Sequence, residues 1–167
     1  MRYKDIGSKN ERPPENFVAQ IAFTQLNTFL LTTDGRVFSW GGVTTCLGRE
    51  VSQGTVDNFG HDYLEELVDE VEFPKDLHEQ DPSIIQIATG RAHILALDTS
   101  GKVYSWGRND YGQLGLGSRG KSDKGKDKPT LIGKLKKEIC QIFAGETQSF
   151  AITKEGEVYA WGNNKHK

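Results

Sequence analysis

A five-residue pattern ending in Trp-Gly occurs three times in this chain and limits its architecture more than any other feature. Val37-Phe38-Ser39-Trp40-Gly41 returns as Val103-Tyr104-Ser105-Trp106-Gly107 and as Val158-Tyr159-Ala160-Trp161-Gly162. Upstream, Gln20-Ile21-Ala22 returns as Gln86-Ile87-Ala88 and Gln141-Ile142-Phe143, with no gap needed between the two anchors. Length varies only in the loops that follow each Trp-Gly. A chain built this way repeats one small unit, and each unit buries a face that only its neighbour can cover.

Within each copy a short run (Phe29–Thr33, Ile94–Thr99, Phe150–Lys154) meets the Trp-bearing run through Asp34-Gly35, Ser100-Gly101 or Glu155-Gly156. Glycine in the second place tolerates the positive φ of a two-residue hairpin turn, so each copy is predicted to hold a hairpin. An upstream strand around Gln20, Gln86 or Gln141 makes three strands, and Tyr111–Leu116 and Pro129–Leu135 are candidates for a further one. Alternation along the Trp-bearing strand puts Val37/Val103/Val158 and Ser39/Ser105/Ala160 on one face, and Phe38/Tyr104/Tyr159 and Trp40/Trp106/Trp161 on the other. A sheet with one slim and one bulky face, apolar on both, fits between two sheets like itself. The predicted fold is therefore all-β: a partial β-propeller of about three antiparallel blades. A β-sandwich would show a polar, water-facing side that these strands lack.

At these residues the sequence resembles the regulator of chromosome condensation repeat family. Its units read Val-x-x-Ala-x-Gly-x-x-His-x-x-Ala-Leu, then Asp-Gly-x-Val-Tyr-x-Trp-Gly, then Tyr-Gly-Gln-Leu-Gly. The second copy fits best, with Ile87-Ala88-Thr89-Gly90-Arg91-Ala92-His93-Ile94-Leu95-Ala96-Leu97, Gly101 to Gly107, and Tyr111-Gly112-Gln113-Leu114-Gly115. The first has Thr24 for the loop glycine and a shortened Cys46-Leu47-Gly48; the third runs out at Asn163-Asn164-Lys165-His166-Lys167. The repeat anchors are Gly35, Trp40, Gly41, Gly90, Gly101, Trp106, Gly107, Gly145, Gly156, Trp161 and Gly162. The resemblance implies a seven-bladed propeller, and propellers have about four to eight blades. Three units leave open faces, and we expect a piece of a longer chain, completed by further repeats or by another chain. The expected layout is an N-terminal tail (1–16), unit one (17–48), an acidic insertion (49–81), unit two with a basic loop (82–136) and a truncated unit three (137–167).

In that insertion Leu64, Leu67, Val68 and Val71 follow helical spacing among acidic residues, which predicts one short helix before Pro74. Packing on its own blade is favoured over docking on a partner, because the pattern does not say what it packs against. The basic counterpart runs through Arg119, Lys121, Lys124, Lys126, Lys128, Lys134, Lys136 and Lys137. No aromatic residues interleave for base stacking and the net charge is only −2, so a nucleic-acid partner is not expected. No apolar run is long enough for a membrane helix or a signal peptide, which leads us to expect an intracellular protein, cytoplasmic or nuclear. Cys46 and Cys140 make neither a disulfide framework nor a metal motif.

Gly115-Leu116-Gly117-Ser118-Arg119-Gly120-Lys121-Ser122 matches the phosphate-loop pattern Gly-x-x-x-x-Gly-Lys-Ser. Such a loop needs a helix starting at its Lys-Ser, yet Asp123-Lys124-Gly125-Lys126-Asp127-Lys128-Pro129 has no apolar face and two helix breakers. A nucleotide-binding protein is thus the disfavoured third reading. His93 stands where the other copies have Asn27 and Gln148; all three can hydrogen-bond and only one could bind metal, so the position reads as structural. We expect no catalytic residue, no metal and no cofactor. The resemblance adds a different expectation for the same loops: in the chromatin-bound family member they face the small GTPase Ran and promote its nucleotide exchange. By that resemblance Arg91, His93, Glu146 and Gln148, with Asn27 equivalent, face a protein partner. The leading reading is a non-enzymatic protein-binding scaffold, and exchange on a Ran-like GTPase is the alternative.

Overall fold

Each copy of the repeat becomes one antiparallel sheet. The computed structural model describes residues 17–50, 68–75, 80–118 and 125–164. Blade one holds β1 (Val18–Phe23), β2 (Asn27–Thr32), β3 (Val37–Gly41) and β4 (Asp69–Glu70), side by side in that order. Blade two repeats the order with β5 (Ile84–Thr89), β6 (His93–Asp98), β7 (Val103–Gly107) and β8 (Lys126–Leu131). Blade three has β9 (Ile139–Ala144), β10 (Gln148–Thr153) and β11 (Val158–Gly162). Apart from a single 3₁₀ turn at Thr44–Cys46, the described residues contain no helix.

The hairpin turns are one residue wider than the sequence suggested. Gly35 N–H donates to the Thr32 carbonyl (3.0 Å) and Thr32 N–H to the Arg36 carbonyl (2.9 Å), which leaves three loop residues rather than two. Gly101 and Gly156 close β6–β7 and β10–β11 in the same way. The glycines sit at φ of 85°, 77° and 85°, the left-handed residue that follows a tight turn in a three-residue hairpin loop. Glycine was thus the right signal for a different turn.

Two other expectations are corrected. Tyr111–Leu116 is a series of turns, and the fourth strand of blade two is β8. Val68–Val71 is not helical: Asp69 and Glu70 pair with Ser39 and Phe38, and Val71 N–H donates to the Val37 carbonyl at 2.8 Å. The exposed edge of β3 offers unpaired backbone groups that this segment satisfies, while Val71 enters the core at 4% exposure. The insertion therefore contributes the outer strand of blade one. The rest of the predicted helix, Asp62–Leu67, lies outside the described residues.

The core lies between the blades in two layers, as the slim and bulky faces require. In the first, Phe29, Leu31 and Val37 of blade one meet Ile87, Ile94, Ala96, Tyr104 and Trp106 of blade two. Phe73 lies edge-on to both Tyr104 and Trp106, with ring centroids 5.6 and 5.8 Å away. In the second, Leu95, Leu97 and Val103 of blade two meet Ile139, Ile142 and Ala151, with Tyr159 and Trp161 packed alongside. Trp106 is fully buried, whereas Trp40, which has no described blade on its side, is only half-buried. Trp106→Ala is expected to cost about 3–5 kcal/mol of unfolding free energy, as deletion of a large core side chain does. Trp40→Ala is expected to cost less than half of that, and urea unfolding midpoints read by far-UV dichroism compare the two.

Candidate functional site

The three loops that join the first and second strand of each blade stand in a row along one rim. Gln25 N–H donates to the Arg91 carbonyl and Arg91 N–H to the Glu146 carbonyl, both at 3.0 Å, so backbone bonds lock the loops in step. The side chains of the same residues form a second row. Arg91 Nε donates to Gln25 Oε1 at 3.2 Å, and Arg91 Nη1 meets Glu146 Oε1 at 3.2 Å. Arg91 and Glu146 keep 57% and 67% of their side chains in solvent. Charge on this rim is therefore displayed on a fixed backbone.

The five residues expected to face a partner divide in two. Arg91 and Glu146 do stand at the surface, while Asn27 and His93 are buried and Gln148 is half-buried. The Asn27 amide bonds both backbone groups of Val43, at 2.8 and 2.9 Å, and pins the chain after Trp40-Gly41. Gln148 Nε2 reaches the Asn163 carbonyl at 3.4 Å, one place nearer its own Trp-Gly than Val43 is. These amides hold their own blades.

His93 links two blades. Ser149 Oγ donates its single proton to the Gln113 carbonyl at 2.7 Å, so in its 2.9 Å contact with His93 it accepts, and the imidazole proton sits on Nε2. Burial drives the His93 pKa from 6.5 down to about 4, against a smaller opposing pull from the Gln148 backbone. A neutral, enclosed ring of this kind serves packing and hydrogen bonding, in line with the structural role read from the sequence. The ring is enclosed between blades two and three.

The Gly115 of the phosphate-loop pattern also has a structural task. Trp106 Nε1 donates to the Cys46 carbonyl at 3.0 Å, and Trp161 Nε1 to the Gln113 carbonyl at 2.8 Å. Each tryptophan thus latches onto the loop of the preceding blade, two residues before its Leu-Gly glycine. A Cβ on Gly115 would lie 2.8 Å from Trp161 Nε1, and one on Gly48 2.9 Å from Trp106 Nε1, so the indole needs glycine beneath it. Lys121 and Ser122 lie outside the described residues. Part of the basic stretch is paired with acid: Lys128 contacts Glu50 and Glu72 at 3.0 and 2.7 Å, and Lys137 contacts Glu157 at 2.5 Å. Among the described residues no group of three His, Cys, Asp or Glu could hold a metal ion, and no helix is long and apolar enough to cross a membrane.

Gln25 is the rim residue that the sequence reading missed. It stands five places after Gln20, as Arg91 does after Gln86 and Glu146 after Gln141, so the register of the repeat contained it. It passed unnoticed because the first copy lacks the loop glycine that marks the position in the other two.

Two sequence signatures of the regulator of chromosome condensation (RCC1) repeat match the chain, one over residues 100–152 and the other over 84–113 and 139–167. The chain is 35% identical over 142 residues to human E3 ubiquitin-protein ligase HERC2, covering 83% of this chain and 2% of that protein. It is 48% identical over 84 residues to Protein RCC1 of Candida albicans, covering 48% of this chain and 18% of the relative. Among solved structures, human WBSCR16 superposes with a TM-score of 0.72 at 25% identity over 96% of this chain and 37% of that one. Prp20p from Saccharomyces cerevisiae, described with its binding properties to Gsp1p and histones, superposes with a TM-score of 0.65 at 26% identity, over 87% and 33%. The chain spans well under half of each of these proteins.

The depressed His93 pKa has a signed consequence for stability. Unfolding exposes a histidine that takes a proton near pH 6.5, whereas the folded one resists until about pH 4. Its contribution is thus complete above pH 6.5, declines as the pH falls, and is lost through pH 4; by linkage the difference is on the order of 3 kcal/mol. His93→Gln, which places there the residue of blade three, is expected to flatten the unfolding free energy between pH 6.5 and 4 relative to the parent, measured by urea titration at each pH.

Proposed function

The chain belongs to the RCC1 repeat family, and from that premise we propose that it is a non-enzymatic binding scaffold whose loop rim, centred on Arg91, receives a protein partner. The row Gln25–Arg91–Glu146 carries this reading. An exposed Arg–Glu pair adds only about 0–1 kcal/mol to stability, so holding these charges in line does little for the fold. Charged and polar side chains on loops that a rigid sheet positions are, in contrast, well suited to recognition, and arginine is over-represented among residues that dominate binding. The ligase named among the relatives is a far longer protein, and ligase activity has no counterpart in the residues of this rim. An intracellular setting, cytoplasmic or nuclear, belongs to the same proposal.

Nucleotide exchange on a Ran-like small GTPase is the second reading, favoured by the likeness to Prp20p and that protein's binding to Gsp1p. Here Glu146 and Arg91 would supply the contacts, and the buried His93 would act only by holding blades two and three together. Both readings are tested with one pair of proteins. Gsp1p loaded with a fluorescent guanine nucleotide is titrated with the chain, and both complex formation and nucleotide release are followed. Binding without release supports the scaffold, and release accelerated over the intrinsic rate supports exchange. Arg91→Ala with Glu146→Ala is expected to weaken binding at least tenfold while the unfolding midpoint stays within experimental error, because both side chains are exposed. Retention of full affinity in that double variant would remove the rim from the function.

A further inference from the structure

Each blade closes its hairpin turn on one side chain at the end of its second strand. In blades one and three that residue is a threonine: Arg36 N–H donates to Thr32 Oγ1 at 3.2 Å, and Glu157 N–H to Thr153 Oγ1 at 3.1 Å. Blade two has Asp98 there. Its Oδ1 accepts from Lys102 N–H at 2.9 Å and from the N–H and hydroxyl of Ser100, at 2.9 and 2.7 Å. A hydroxyl is enough to close this turn in the other two blades, so the carboxylate supplies an oxygen more than the turn needs. That second oxygen, Oδ2, accepts one hydrogen bond, a long one of 3.3 Å from the Tyr104 hydroxyl.

Asp98 is only 4% exposed and forms no ion pair among the described residues. A buried carboxylate without a cation is costly. With Tyr104 it lines a cavity of about 690 Å³ between the chain that follows β4 and the turn joining β6 to β7. All of the described walls come from residues 74–131. Lys75, Asp81 and Lys102 stand exposed around the same cavity, and none of them has an ion-pair partner among the described residues. Lys128, Lys137 and Lys154, in contrast, are each paired with glutamate. The cavity thus combines a buried negative charge with an exposed wall where two lysines outnumber one aspartate.

We propose that this cavity is a binding site for a peptide segment in which a lysine stands beside an acidic residue. The lysine side chain reaches Asp98 Oδ2. Because Oδ1 is occupied by the turn, one oxygen is left, which suits the point charge of an ammonium better than the two-pronged guanidinium of arginine. The acidic neighbour lies toward Lys75 and Lys102, and the apolar stem of the bound lysine has Leu131 and the Tyr104 ring beside it. The volume is in the range of about 300–1,000 Å³ usual for ligand sites. Asp98 and Arg91 flank opposite ends of β6, so this site is separate from the loop rim and its occupancy does not depend on what the rim binds.

The test is a titration of the whole chain, labelled with nitrogen-15, with an acetylated and amidated tetrapeptide holding lysine then glutamate between two alanines, up to millimolar concentration. Amide shifts are expected to concentrate at Lys75 and from Asp98 to Tyr104. Asp98→Thr places there the residue of the other two blades, which keeps the turn bond and removes the charge. It is expected to weaken binding at least tenfold, as loss of one partner of a buried charge pair does, with an unchanged far-UV spectrum. Lys75→Gln with Lys102→Gln is expected to weaken the same peptide about threefold, the size of an exposed ion pair, and to leave a peptide with glutamine for glutamate unaffected. A parent chain that shows no localised shifts overturns the proposal. So does full affinity in Asp98→Thr or in the double lysine variant, or equal binding of a peptide whose lysine is replaced by glutamine.

Discussion

The indole N–H of a tryptophan donated across a blade junction is the interaction on which the rest of this structure depends. It joins three levels of organisation in one bond. The tryptophan fills the layer between two sheets, its nitrogen fixes the loop of the preceding blade, and the glycine of that loop is required because a side chain there would collide with the ring. A buried indole without a partner would be costly, so packing and hydrogen bonding must be satisfied together. Ser39 and Ser105 reinforce the latch by donating to the Leu47 and Leu114 carbonyls, at 2.7 and 2.8 Å. Blade order and loop shape thus follow from the same few residues.

Among the described residues, buried polar side chains hydrogen-bond within blades and across the joints between them. Asn27, His93 and Gln148 share one place in the repeat and reach different partners: the Val43 backbone, Ser149 of the next blade and Asn163. Because each buried polar side chain has a different task, the repeat tolerates three residue types at one position. The rim residues Gln25, Arg91 and Glu146 also vary in type, yet their backbone bonds do not. Variation there changes the charge displayed along the rim and leaves the backbone bonds between the blades intact.

Apart from the hairpin turns, whose three-residue loops are a local matter, the segments that depart from expectation have a conformation fixed by something distant in sequence. Val68 and Val71 have helical spacing among acidic residues, but an open strand edge and a gap beside Phe29 and Trp106 recruit Asp69–Val71 into the sheet. Tyr111–Leu116 has the composition of a strand, yet its carbonyls are needed by Ser105 and Trp161, and turns present them. In each case a local pattern was overridden by a contact from another unit.

The repeat itself was fully legible: its three copies, the hairpin within each and the slim and bulky faces of the sheet follow from periodicity two and the recurrence of Trp-Gly. These are local properties, set by how consecutive side chains alternate across a pleated strand. Whether a polar residue points outward to solvent or inward to a joint was decided only by the tertiary structure. His93 and Arg91 are two places apart and belong to the same motif, yet one is sealed between blades and the other stands on the rim. That difference arises where Ser149 and Glu146, more than fifty residues further along, come to lie against them. No alternation rule within one unit contains that contact.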